Sequence, residues 1–179
     1  QNLLQCGGHL IGFSRPDAYV PFINYLLKKE QGSLLIDQKI HSFIKKSSKT
    51  KKLLSKLKKV TTYPNPQGGK LRENPFLLGR RLAHELLPQI KDSNFDYLVT
   101  FSDGIAQGVA QYLDEQGIAI PGDLQVLGFD KIDSIEFLKF PTCTIEVPVN
   151  EMIEKLISLM ESTSSAKFEH LCMTKLHIL

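Results

Sequence analysis

Apolar residues in this chain fall into short runs that alternate with helix-spaced stripes. HLIGF (His9–Phe13) reads as a first strand, entered through Gly7-Gly8, which suits the stop of a helix whose tail is Leu3-Leu4. Phe22, Ile23, Leu26 and Leu27 then recur at helical spacing between Tyr19 and Lys29, with Pro21 in the first turn. KKVTTY, ending at Tyr63, is a second strand, followed by the turn-forming PNPQGG. From Pro75 to Leu87 the residues Leu78, Leu82 and Leu86 make one stripe, with Ala83 and Leu87 beside it. DYLVTF is a third strand, and Ile105, Val109 and Leu113 mark its following helix, stopped by Gly117. LQVLGF and TCTIEV are the fourth and fifth strands. Met152, Ile153, Leu156, Ile157 and Met160 stripe one more helix, and the weak alternation from His170 to Leu179 supplies a last strand. Strand and helix in repeated alternation predict an α/β fold, a doubly wound and mostly parallel sheet.

Polar residues stand just beyond the last apolar residue of two of these strands: Ser102-Asp103 after DYLVTF, and Asp130 after LQVLGF. The carboxyl ends of strands in an open parallel sheet face the ligand crevice, so these positions are expected to converge on one site. Asp103 suits a helix cap, and Asp130 can cap the short segment DKIDSIEFL. At the mouth of the first strand, Arg15 is either an exposed loop residue or a fork of donors for a polyol, carboxylate or phosphate. Asn74 and Phe76, ahead of the third helix, edge the same crevice.

Composition narrows the function classes. With 179 residues, 42% of them hydrophobic, the chain can bury the core of one domain of normal size plus a fragment of a second. The net charge of +3 owes much to the lysine-dense Lys45–Lys59 segment. That segment reads as a surface helix with solvated lysines around Leu53, Leu54 and Leu57; the competing nucleic-acid or acidic-membrane patch lacks interleaved aromatics. Cys6, Cys143 and Cys172 are odd in number and widely spaced, which disfavours a disulfide framework or zinc site and suits a reducing cytoplasm. The five histidines are scattered, with no nucleophile motif and no phosphate loop nearby, so neither an enzyme nor a cofactor or metal is expected. No apolar run is long enough for a membrane span, and no signal-peptide pattern is present.

IPGDLQVLGFD, followed about a dozen residues later by FPTCTIEVP, resembles the effector domain of the LacI/GalR family of transcriptional repressors. LLQCGGHLIGF resembles the family's segment before its first strand, with Gly8 where histidine is usual. The resemblance implies a periplasmic-binding-protein-like type I fold, truncated mainly to the carboxyl-terminal subdomain over residues 1–147. Residues 148–179 then form the returning helix and terminal strand, the helix belonging to an otherwise missing amino-terminal subdomain. Because the chain opens on Gln1, a helix-turn-helix, a hinge and half a subdomain are expected to have preceded it.

On that resemblance Asp130 grips ligand hydroxyls, Ser102 replaces the family's amide side chain, and Phe22 is the aromatic near the ligand, although core packing is the stronger reading for a phenylalanine at helical spacing. Ala18 stands where the family often has arginine, which Arg15 compensates if its loop folds inward, and Val147 replaces a polar residue. The implied protein is a cytoplasmic, ligand-sensing repressor domain that binds a sugar or nucleoside-like polyol. Its implied partners are operator DNA, through the missing part, and a second copy, through the Gly104–Leu113 helix and the Ile135–Phe140 segment. Its Met152, Leu156 and Met160 face is expected to lack partners. Two alternatives remain open: a periplasmic-type sugar-binding protein serving a transporter, and an interaction module that has lost its ligand.

Overall fold

A computed structural model describes residues 2–6, 9–13, 15–30, 32–64, 73–133, 135, 139–161 and 169–178. In chain order the first elements are β1 (Asn2–Cys6), β2 (His9–Phe13), a 3₁₀ turn (Asp17–Tyr19), α1 (Val20–Lys28), β3 (Ser33–Asp37), α2 (Gln38–Ile44), α3 (Ser48–Leu54) and β4 (Lys59–Tyr63). Then come α4 (Pro75–Lys91), β5 (Tyr97–Val99), α5 (Asp103–Glu115), β6 (Gln125–Asp130), β7 (Cys143–Glu146), α6 (Val149–Glu161), β8 (Glu169–Leu171) and β9 (Lys175–His177).

These strands make a six-stranded sheet of order β4-β3-β5-β6-β7-β9 and a separate three-stranded sheet of order β1-β2-β8. The large sheet is parallel except for β9, which runs antiparallel to β7. The alternation along β3 sorts the core: Leu34 and Ile36 join the cluster beneath α1, α2 and α3, while Leu35 joins the cluster beneath α4 and α5. This is the doubly wound α/β sheet that the alternating pattern predicts. In the α4–α5 pair, a Cβ on Gly79 would collide with the Ile105 carbonyl, and one on Gly108 with the Phe76 carbonyl. Backbone meets backbone there, which only glycine allows.

Several expectations are corrected. Leu3 and Leu4 lie in a strand, not a helix tail, because residues 2–6 pair antiparallel with β2 from Asn2↔Phe13 to Cys6↔His9. His9–Phe13 is a strand, but it pairs in the three-stranded sheet and not in the large one. The first large-sheet strand in chain order is instead β3, SLLID, followed by the short helix α2, both unforeseen. Of the lysine-dense segment only Ser48–Leu54 is helical. The tail supplies two short strands, one to each sheet. Gly7-Gly8, Ser14, most of PNPQGG and residues 136–138 of the expected interface lie outside the described residues.

The chain passes between the two sheets three times: from β2 into α1, from β7 into α6, and from β8 into β9. Helix α6 packs on β1 and β2, with Met152 buried and Leu156 and Leu159 partly buried against the core. The expected unpartnered face fails at Met152 and Leu156 and holds at Met160, which with Val149, Ile153 and Ile157 forms the exposed stripe, 44–66% accessible. At the third passage the Thr174 hydroxyl donates to the Ala18 carbonyl at 3.2 Å, and Cys172 is buried beside it in sequence.

Candidate functional site

Carboxyl ends of β3, β5, β6 and β7 bring Asp37, Thr100 to Asp103, Asp130 and Glu146 to one edge of the large sheet. Asp130 is the exposed last residue of β6, and its backbone takes φ +101°, with Lys131 following at +54°. Non-glycine residues avoid this region, so the turn must be held by its surroundings. Two buried side chains do so: the Lys131 N–H donates to Thr144 Oγ1 at 3.2 Å, and the Ile132 N–H donates to Asp103 Oδ2 at 3.0 Å.

Asp103 is wholly buried. Burial pushes its carboxyl up to about 6, against the opposing hydrogen bonds from Thr144 and the backbone of Ile132 and Lys131. Its carboxyl fills the space over Gly128, where any Cβ would clash with Asp103 Oδ1. The helix cap expected at Asp103 falls one residue earlier, on Ser102, whose Oγ accepts from the Ile105 N–H at 3.5 Å. Asp103 instead pins the turn behind Asp130.

Arg15 folds inward. Its guanidinium lies 4.5 Å from the ring centre of Phe101, 5.3 Å from Phe129 and 5.7 Å from Phe43. Its Nε is buried with no hydrogen-bond partner among the described residues. Partial burial raises the Asp130 carboxyl above its ordinary value, and the charge of Arg15 opposes that rise. Behind them Tyr19 is 1% exposed, with a hydroxyl that has no partner among the described residues. Burial raises this phenol, with Arg15 opposing and Asp37 and Asp130 adding to the effect. Arg15, Tyr19, Asp37 and Asp130 therefore share one electrostatic neighbourhood.

Beside Asp130 opens a cavity of about 590 Å³, lined among others by Lys131, Glu146, Val147, Asn150 and Lys175. It extends along the passage from β7 into α6 and reaches the start of β9. Glu146 is held from His177 Nε2 at 2.5 Å and from Lys131 Nζ at 3.8 Å. The His177 hydrogen bond, aided by Lys131, lowers the Glu146 carboxyl below its usual range.

The remaining expected residues scatter. Phe22 is 1% exposed and stands edge-on to Tyr97, ring centres 5.2 Å apart, so it belongs to the core. Asn74 caps α4, its side chain accepting from the Phe76 N–H at 2.8 Å, and neither residue lines the cavity. Ser102 stands at the mouth of β5 but is spent on its cap. Sequence reasoning missed Asp37, which caps α2 by accepting from Lys39 and Ile40, and missed the rings Phe43 and Phe101 that seat Arg15. An available signal was SLLID, an apolar run ending in an acid like the two mouths already recognised. Among the described residues no cluster of histidine, cysteine or carboxylate could hold a metal ion.

Comparison with known proteins bears on the family and the fold. Residues 78–171 match the family model described as periplasmic binding protein-like domain. The transcriptional regulator AscG of Escherichia coli is 33% identical over 67 residues, 37% of this chain and 20% of that protein. The ribose operon repressor of the same organism is 33% identical over 79 residues, 44% of this chain and 22% of that protein. This chain thus spans about a fifth of the length of these relatives in the matched region. A LacI family transcriptional regulator from Silicibacter pomeroyi superposes with a TM-score of 0.72 at 18% identity, covering 99% of this chain and 66% of that one. One from Enterococcus faecium, solved with bound ribose, gives 0.69 at 18% identity, covering 98% and 65%. The likeness to LacI/GalR regulators read from the sequence is therefore found again in both sequence and fold.

Proposed function

Because the chain belongs to the periplasmic-binding-protein-like domain family, we propose that it is the ligand-sensing part of a LacI/GalR-type repressor. The observation that carries the reading is the mouth of β6. There an exposed carboxylate on a strained, doubly pinned turn stands in the field of an arginine seated among three aromatic rings. Asp130 supplies acceptors and Arg15 supplies donors, a matched set for the hydroxyls of a sugar or nucleoside-like polyol. Ser102 adds a hydroxyl at the rim once its long cap bond yields, and Asn74 and Phe76 stand further out.

The six-stranded unit is the carboxyl-terminal subdomain, and α6 with the three-stranded sheet represents part of the other. Ligand at their junction favours one relative arrangement, and that preference is what an attached DNA reader on operator DNA would sense. The protein works in the cytoplasm as a homodimer, and carries out no catalysis. Support comes from the repressor relatives and from the ribose seen in one fold neighbour.

Thermal stability in the presence of pentoses, hexoses and nucleosides tests the site. A ligand at a hundred times its Kd adds about 2.7 kcal/mol, which raises Tm by about 5–10 °C in a chain of this size. Asp130→Ala should abolish the rise while leaving the unliganded Tm near that of the parent. An undiminished rise in the variant would remove Asp130 from the site; no rise with any of these compounds would refute the polyol reading.

A further inference from the structure

Lys45, Lys46, Lys49, Lys51, Lys52, Lys56, Lys58 and Lys59 crowd into one segment that contains no acidic residue. All eight are exposed. None forms an ion pair with a described residue, whereas Arg80, Arg81, Lys131 and Lys139, elsewhere in the chain, do. Within the patch the charges reinforce one another: burial lowers the His41 imidazole below its ordinary value, and Lys45 adds to that fall. Setting these eight aside turns the chain's net +3 into −5, so the positive charge is segregated and not spread.

The segment occupies the α2–α3 corner and runs into β4, the edge strand of the large sheet. Lysines on an edge strand guard against strand pairing, which accounts for Lys58 and Lys59. It does not account for the six lysines further upstream, Lys45 to Lys56, on the helices and turns.

We propose that this corner docks on the phosphate backbone of duplex DNA, without reading sequence. The leucines decide against a membrane: Leu54 is 5% exposed, and Leu53 and Leu57 are partly buried against the core, so none is free to enter a bilayer. The aromatics decide against single strands: Phe43 is occupied by Arg15 and Lys46, and Phe95 is buried beneath Lys59, which leaves no ring in the patch for stacking. Exposed ammonium groups without a carboxylate partner among the described residues release counterions on contact, which is what a regular array of phosphates binds. This surface is independent of the ligand crevice and holds whether or not the polyol reading does.

Anisotropy of a labelled duplex of arbitrary sequence, titrated with the chain between 25 and 200 mM salt, is the test. Binding should weaken with salt at a log–log slope of about −3 or steeper and be indifferent to sequence. The triple variant K49Q/K52Q/K56Q should bind at least tenfold more weakly at low salt, and its slope should shrink by about 2–3. K91Q/K139Q/K155Q removes the same charge elsewhere and should change affinity by less than threefold. Equal losses in the two variants would reduce the effect to net charge and overturn the patch. Absence of duplex binding at 25 mM salt, or binding to phosphatidylserine vesicles without binding to duplex, would overturn it as well.

Discussion

Replacing Asp103 with asparagine separates the charge of this residue from its hydrogen bonds. The carboxyl is wholly buried and raised from 3.8 to about 6, so the folded chain holds this proton more tightly than the unfolded chain does. For a carboxyl raised in this way, the favourable contribution is present at acid pH. It is lost as the pH climbs from about 4 to about 6, leaving an ionised group that disfavours the fold above that window. A displacement of that size corresponds to about 3 kcal/mol. Asparagine keeps an oxygen for the Ile132 N–H and puts its amide where Oδ1 is buried without a hydrogen-bond partner among the described residues, which adds an offset that does not depend on pH. Between pH 4 and pH 7 the variant should gain on the parent by about 3 kcal/mol, or about 6–12 °C in Tm. Thermal denaturation of both proteins at half-unit intervals from pH 4 to 7.5 reads the difference, in which the titration of groups that do not interact with Asp103 cancels. A difference that does not change with pH would refute the claim that buried charge at Asp103 opposes folding.

Other perturbations have equally definite outcomes. Gly108→Ala adds a Cβ against the Phe76 carbonyl and the Arg80 amide, both backbone atoms that cannot swing aside. The gain in helix propensity of about 1 kcal/mol is outweighed by overpacking at the upper end of about 1–3 kcal/mol, so Tm should fall by several degrees. Gly104→Ala meets only the Pro75 ring, at 3.0 Å, and should leave Tm within about 3 °C; equal losses at the two sites would refute the backbone-contact account. His177→Ala should move the Glu146 carboxyl upward toward its ordinary range, read by NMR titration of its side-chain carbon. The depressed Glu146 stabilises the fold above its unfolded pKa and loses that contribution as the pH falls through the folded value, so the variant should also be less sensitive to acid. An unmoved Glu146 would mean that Lys131, not His177, holds it down.

Much of the large sheet was legible because its strands are buried on both faces and therefore appear as unbroken apolar runs. Its mouths were legible because a polar residue follows such a run abruptly, as at Ser102 and Asp130. What stayed hidden was governed by pairing over distance. NLLQC has nothing local to mark it as a strand and is fixed by its register with HLIGF. HLIGF itself fits either sheet by pattern, and only β1 and β8 assign it to the smaller one. SLLID is too short for its alternation to stand out, although it crosses the middle of the core. Asp103 was recognisable as a residue at a helix start, yet its partner is the backbone 29 residues later, a contact that no local pattern encodes. The cage around Arg15 likewise gathers one ring from α2 and two from strand ends far apart in sequence.

How such a mouth could drive a change of arrangement follows from where the chain passes between the sheets. Arg15 lies on the passage from β2 to α1, the cavity on the passage from β7 to α6, and Lys175, which lines that cavity, directly after the passage from β8 to β9. A ligand bound at Asp130 and Arg15 would thus touch the structure where the chain passes between the two sheets. A tenfold difference in affinity between two arrangements is worth only about 1.4 kcal/mol. One hydrogen bond to a charged group contributes about 1.5–3 kcal/mol. A single contact from Arg15 made in one arrangement and lost in the other is therefore enough to shift the population tenfold, and no broader rearrangement of the crevice is required. Asp103 and Thr144 hold the turn bearing Asp130 at the end of β6, and Arg15 enters from the passage out of β2 with its guanidinium over Phe43, Phe101 and Phe129 and its Nε buried without a partner among the described residues.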